Sequence, residues 1–340
     1  MGMLMRRRQL LCALSAGCAL GLLPGPGRTQ ALPAVPRRRV IIDNDFSGDP
    51  DGLFQLAHHL ASPATEVSLI IGSHIHVGDF LDRSSTQAEN AVRAVREMMG
   101  HMRLPRQPEV LAGRNAAPRP DAAPEATPAV RRILAEAMRD DTDLPLFYVA
   151  GAGLTEIAEA LRLEPRIARR LTLVWIGGAE YAALNPSLPP RTDPEYNATI
   201  DLAATRTVFN ESAVEIWQVP RDAYRTMLIS FAELDAGLEQ AGALGRYLRA
   251  QLRRAVEATG TRGETYILGD SPLVTLTSLQ SYFEPDASSS RYLIRPTPQI
   301  DERAGYAAVA GTRPMRVYTS IDTRLTFADM FAKFRLVSAP

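Results

Sequence analysis

The apolar run Val40-Ile41-Ile42 leads directly into four aspartates, Asp43, Asp45, Asp49 and Asp51, within nine residues. A helical pattern follows, with Leu53, Phe54, Leu56, Ala57 and Leu60 on one side. The stretch reads as strand, tight loop and helix, with its carboxylates at the carboxyl end of the strand. Open α/β sheets place their ligands there. Carboxylates this close repel one another unless a cation or shared protons offset the charge. Oxygen-only ligands suit a hard divalent ion, Ca²⁺ or Mg²⁺. The plainer alternative is a helix N-terminus with solvated turn residues.

The remaining chain repeats the same alternation. Strands are expected at 66–72, 108–113, 146–150, 171–176 and 214–219, and helices at 84–99, 129–139, 154–163 and 231–259. Residues 115–128 are rich in Ala and Pro and read as loop, and 291–336 as short strands and turns. Strands alternating with helices imply an α/β fold, a mostly parallel sheet with helices on both faces. Residues 38–336 read as a single domain with no internal repeat.

Residues 1–31 read as a secretory signal. Arg6-Arg7-Arg8 is a basic start, Leu10 to Leu23 an apolar run, and Ala31 a small residue for cleavage. Arg7-Arg8-Gln9-Leu10-Leu11 also resembles a twin-arginine signal, with an ordinary secretory signal as the alternative. Ser15-Ala16-Gly17-Cys18 is a poor lipidation site, because Ser15 stands where a branched apolar residue belongs. The expected location is periplasmic or secreted. Both cysteines, Cys12 and Cys18, would leave with the signal, so the mature chain would have neither a disulfide nor a thiolate zinc site. Four arginines would leave too, and no acids, giving a mature charge of about −4. Nothing basic invites nucleic acid, and no second apolar run approaches the ~18 residues of a membrane span. The oligomeric state, including a homo-oligomer, stays open.

Four stretches together resemble the inosine-uridine type nucleoside hydrolases. The first is the opening strand with its Asp-x-Asp loop. The second is Gly151-Ala152-Gly153-Leu154-Thr155-Glu156-Ile157-Ala158, with Leu163-Glu164-Pro165-Arg166-Ile167 behind it. The third runs from Glu195-Tyr196-Asn197 through Asp201 to Ser212, and the fourth is Gly269-Asp270-Ser271-Pro272. The resemblance implies a Ca²⁺ held by Asp45, by Asp49 or Asp51, by the Gly151 carbonyl region and by Asp270. It implies Asp45 as general base, and a small ribosyl substrate contacted by Asp49 or Asp51, Ser73, Glu195 and Asn197. Gly269 stands where members with purine activity carry a histidine, Ser73 where many carry asparagine, and residues 115–128 offer no histidine.

His74 and His76 follow the second strand, and either is a candidate for the missing acid. His-x-His is also a metal-ligand spacing, and the plainer reading is a pair of loop histidines without a role. His58-His59 reads as surface or packing, and Trp175 and Trp217 as core. The expected function is metal-assisted hydrolysis of an N-ribosyl bond. The alternatives are a non-catalytic nucleoside- or sugar-binding protein on the same scaffold, and a metal-free structural protein.

Overall fold

A computed structural model describes residues 34–184, 191–281 and 289–339. The expected signal at 1–31 lies outside the described residues. The strands in chain order are β1 (Arg38–Asn44), β2 (Thr65–Gly72), β3 (Glu109–Ala112), β4 (Leu146–Ala150), β5 (Leu171–Ile176) and β6 (Glu215–Val219). They are followed by β7 (Leu228–Ser230), β8 (Thr265–Ile267), β9 (Arg291–Pro296), β10 (Gln299–Ile300), β11 (Tyr306–Ala307) and β12 (Pro314–Ser320). The main sheet runs β3-β2-β1-β4-β5-β6-β12-β9. Every pairing in it is parallel except the last, where β9 lies antiparallel along β12. This is the α/β fold expected from the alternation.

Side-chain parity sorts the sheet into two buried faces, because successive residues of a strand point to opposite sides. Val40, Ile42, Ile70, Val149, Val174 and Val219 enter one core. Ile41, Leu69, Ile71, Tyr148, Leu173 and Ile216 enter the other. The helices α1 (Asp51–Leu60) and α2 (Gln87–Gly100) pack into the first core. The second receives α3 (Pro128–Ala137), α4 (Thr155–Leu163), α5 (Tyr196–Ile200) and α6 (Leu202–Arg206). The start of α3 is well defined: the Thr127 hydroxyl accepts from the Val130 amide at 3.2 Å, and Pro128 occupies the first turn. Trp175 and Trp217 are core residues, one on each face.

The late chain differs from its sequence reading in two places. The expected helix at 231–259 is two helices, α8 (Phe231–Glu239) and α9 (Gly242–Thr259), preceded by the short α7 (Arg221–Tyr224). Gly242, at φ +52°, makes the break in a conformation that most side chains resist. After α10 (Pro272–Ser278), the tail contains a full-length strand, β12, and ends in the long helix α11 (Thr323–Val337). The signals for α11 are present in the chain. Asp322 accepts from the Leu325 amide at 2.9 Å, and Phe327, Met330, Phe331 and Phe334 follow at helical spacing, all buried. Truncating Phe334 to Ala would cost about 3–5 kcal/mol.

His58 and His59 are packed inside, not on the surface. His58 Nε2 meets Asp329 Oδ2 at 2.7 Å, and His59 Nε2 meets Thr277 Oγ1 at 2.8 Å. These contacts join α1 to α11 and α10. No helix among the described residues is long and apolar enough to cross a membrane.

Candidate active site

Strand order reverses between β1 and β4, and a ligand cleft is expected beyond the carboxyl ends of those strands. A cleft of about 790 Å³ lies there. Its lining includes Asp45, Asp49 and Asp51 from the first loop, Gly151 after β4, Ile176 at the end of β5, and Asp270 before α10. Glu195, Tyr196 and Asn197 line it at the start of α5. The sheet order thus draws together Asp51 and Asp270, which are 219 positions apart in the chain.

The acidic floor is tied together by neutral donors. Asn44 Nδ2 donates to Asp270 Oδ2 at 2.8 Å, while Asn44 Oδ1 accepts from the Asp45 amide at 2.9 Å. The Asp270 amide donates to Asp51 Oδ2 at 3.2 Å. Asp49 turns the other way: its Oδ1 accepts from the Tyr266 hydroxyl at 2.9 Å and from the Asp51 amide at 3.2 Å. Asn44 leaves its neighbours almost no room. A Cβ on Gly52 would come within 2.9 Å of the Asn44 amide nitrogen, and one on Gly151 would collide with it.

Burial and mutual repulsion dominate the electrostatics. Burial, then Asp270, pushes Asp45 well above the ordinary carboxylate range, and the same two causes raise Asp51. Asp270 is raised to about 7 by burial, with the Asn44 hydrogen bond pulling the other way. Protons or a cation must meet this charge. The donor set is all oxygen and fits a hard divalent ion in kind. Among the described residues, however, no three acidic, histidine or cysteine side chains form a ready metal-holding group.

The sugar-facing candidates are well anchored. Glu195 Oε2 accepts from the amides of Gly178 and Ala198 at 2.7 and 3.0 Å, and its Oε1 from the Tyr224 hydroxyl at 2.9 Å. Asn197 Nδ2 donates to the carbonyls of Gly151 and Ile176 at 2.9 and 2.8 Å. Both of its amide hydrogens are therefore engaged, and Oδ1 is its remaining acceptor.

Three other candidates lie outside the cleft lining. The Ser73 hydroxyl donates to Asp43, which also accepts from the Tyr148 hydroxyl. Asp43 points to the opposite face of β1 from Asn44. His74 is buried, with Nδ1 near the Ile75 carbonyl at 3.0 Å and Nε2 near Thr155 Oγ1 at 3.3 Å. His76 Nε2 meets Thr199 Oγ1 at 3.2 Å, and its ring stands edge-on to Tyr196. Neither imidazole is among the groups that line the cleft. Gly269 does line it, between Asp51 and Tyr224.

Sequence reasoning passes over the cationic wall formed by Arg191, Arg221 and Arg225. Arg221 Nε donates to Glu180 Oε2 at 2.7 Å, and Nη1 to the Asp193 carbonyl at 3.1 Å and carboxylate at 3.2 Å. Its Nη2 is buried and has no hydrogen-bond partner among the described residues. Arg221 follows β6 by two residues, so the carboxyl-end rule that singles out Asp45 also applies to it. Asn44 is equally legible, standing between two aspartates at the end of β1.

A cleft of this kind, at the switch point of a doubly covered parallel sheet, defines an α/β protein that takes a small molecule. The chain belongs to the inosine-uridine preferring nucleoside hydrolase family, whose family model matches residues 40–333. No curated protein sequence matches it. Solved structures share the fold. A plant nucleoside hydrolase is 16% identical, with 90% of this chain and 100% of that chain covered and a TM-score of 0.63. A purine-preferring ribonucleoside hydrolase from Gardnerella vaginalis is 19% identical, with 88% and 98% covered and a TM-score of 0.65. An inosine-uridine preferring nucleoside hydrolase from Bacillus anthracis is 17% identical, with 88% and 100% covered and a TM-score of 0.62.

Proposed function

We propose that this chain is an exported Ca²⁺-dependent N-ribohydrolase acting on ribonucleosides or a related ribosyl compound. The observation that carries the reading is the meeting of Asp45, Asp51 and Asp270, from opposite ends of the chain, in the switch-point cleft. Asp45, Asp51, Asp270 and the Gly151 carbonyl would hold the ion, with Asp49 at the edge of the set. A bound Ca²⁺ supplies Lewis-acid activation of water and a clamp for vicinal hydroxyls. Asp45 takes the proton of the attacking water. Asn197 offers Oδ1 to a ribose hydroxyl, and Glu195 presents a fixed carboxylate at the same end. The bond from C1′ to the leaving atom breaks with its electron pair, and a C1′–O bond forms. The buried acids stabilise the oxocarbenium-like charge that develops between the two events. Export rests on the signal-like residues 1–31.

The leaving-group side favours a second reading, a nucleoside- or sugar-binding protein without turnover. Its basis is Gly269, which brings no proton to a cleft that His74 and His76 do not line. One experiment separates the two. Chelator-stripped protein is given CaCl₂ and assayed for ribose release from uridine, inosine and p-nitrophenyl riboside. Release from any of the three supports the hydrolase. Calorimetric nucleoside binding with no release from any of them sinks it in favour of the binding protein.

A further inference from the structure

Beneath the acidic floor runs a chain of buried polar groups that the proposed chemistry does not use. Asn44 Nδ2 has two hydrogens: one goes to Asp270 at 2.8 Å, the other to Gln55 Oε1 at 3.3 Å. Gln55 Nε2 in turn meets His59 Nδ1. His59 Nε2 meets Thr277 Oγ1 at 2.8 Å, and the Thr277 hydroxyl donates to the Leu273 carbonyl at 2.5 Å. Asn44, Gln55, His59 and Thr277 are all at least nine-tenths buried.

The direction of every bond follows from the two ends. The Thr277 hydroxyl hydrogen is committed to Leu273, so Thr277 accepts from His59 Nε2–H. His59 Nδ1 is then an acceptor, and it takes the Gln55 amide hydrogen. Gln55 Oε1 must therefore face Asn44, which in turn must present Nδ2, not Oδ1, to Asp270. A flipped Asn44 amide would aim oxygen at the Asp270 carboxylate and nitrogen at the Asp45 amide, losing both bonds. The pattern needs a neutral histidine, and burial lowers the His59 pKa well below its usual value.

We infer that Gln55 and His59 are positioning residues that fix the Asn44 amide and thereby hold Asp270 against Asp45 and Asp51. The chain links the three segments that carry the acids: β1, α1 after Asp51, and α10 after Asp270. The inference rests on the Ca²⁺ reading above. Groups behind a metal ligand orient it, and removing them typically costs about 10–100-fold in metal affinity.

The test is Ca²⁺ titration of the chelator-stripped full chain by calorimetry, with Tm recorded for the metal-free protein. Gln55→Leu and His59→Phe are each expected to weaken Ca²⁺ binding about tenfold or more. The double variant should be no weaker than Gln55→Leu alone, because the chain is already cut. His59→Asn, whose Oδ1 can accept in place of Nδ1, should recover most of the affinity lost in His59→Phe. Wild-type Ca²⁺ binding with both single variants within about twofold of it overturns the inference, whatever happens to Tm. If Gln55→Leu and His59→Phe do not fold, Thr277→Val decides: weaker Ca²⁺ binding supports the relay, and wild-type affinity overturns it. A wild-type chain that binds no Ca²⁺ removes the metal reading itself and the inference with it, an outcome distinct from the others.

Discussion

The floor and the wall of the cleft handle charge in opposite ways. On the floor, amides donate to the carboxylates of Asp270 and Asp51, Asp45 is tied to them only through its own backbone N–H on Asn44 Oδ1, and no salt bridge among the described residues meets their charge. On the wall, Arg221 is already met by Glu180 and Asp193, and Arg191 by Asp193. The floor needs protons or a cation to offset its charge. The paired part of the wall is nearly neutral within itself and offers a substrate chiefly hydrogen-bond donors. On the proposed reading, a cleft built this way would grip the sugar end of a riboside through charge and treat the leaving group as an acceptor.

The largest effect should come from the floor. Asp45→Ala is expected to lower kcat on p-nitrophenyl riboside by about 10²–10⁴-fold, the range for losing a general base. Asp270→Ala should abolish calorimetric Ca²⁺ binding. Retained binding in Asp270→Ala would mean that the floor is not the ion site.

The next effect compares substrates. With no imidazole in the lining, p-nitrophenyl riboside should be turned over about 10²-fold faster than inosine, the lower end of what a general acid contributes. His74→Ala and His76→Ala should leave that ratio unchanged. A selective loss on inosine would bring one of these histidines into the chemistry despite its position.

A smaller effect belongs to the wall. Arg221→Met removes a buried donor whose Nη2 has no partner among the described residues, and kcat/KM for uridine should fall about tenfold. Ca²⁺ affinity should stay at the wild-type value. Loss of both together would show that wall and floor are not separable.

The smallest effect contrasts the floor with an acid that is paired by its own protein. Burial alone would raise the Glu136 pKa, but Arg39, Arg132 and Arg139 hold it below its ordinary 4.5. A depressed carboxylate adds stability above its unfolded pKa and loses it as pH falls through the folded value. Between about pH 6 and about pH 3, wild type should therefore lose about 2–4 °C more in Tm than Glu136→Gln. Equal losses would show that the pairing contributes nothing measurable.

The sheet is legible in the chain because buried strands carry a strong pattern. The runs at 146–150 and 171–176 coincide with β4 and β5. Loops carry no such period. Ser73, His74 and His76 follow a strand end where alternation ceases, and nothing local says which way each side chain turns. Tertiary contacts decide it: Ser73 goes to Asp43, and His76 to Thr199 and Tyr196. Asp49 and Asp51 pose the same difficulty, and their divergence depends on Tyr266 and Asp270, which arrive much later in the chain. The helix α11 is a different case. Its cap and apolar spacing are local signals, hidden only when the whole tail is read as turns. The short α5 that carries Asn197 offers too few residues for a period to register.

The bond between Asn44 and Asp270 closes a loop of 226 residues. Long-range closures of this kind form slowly, because chain entropy must be lost before the contact is gained. A chain still being synthesised holds Asp45, Asp49 and Asp51 long before Asp270 exists. Premature fragments therefore carry the acidic loop without the partner that completes the floor, and the proposed hydrolysis would begin only once the chain beyond Asp270 has been made and folded.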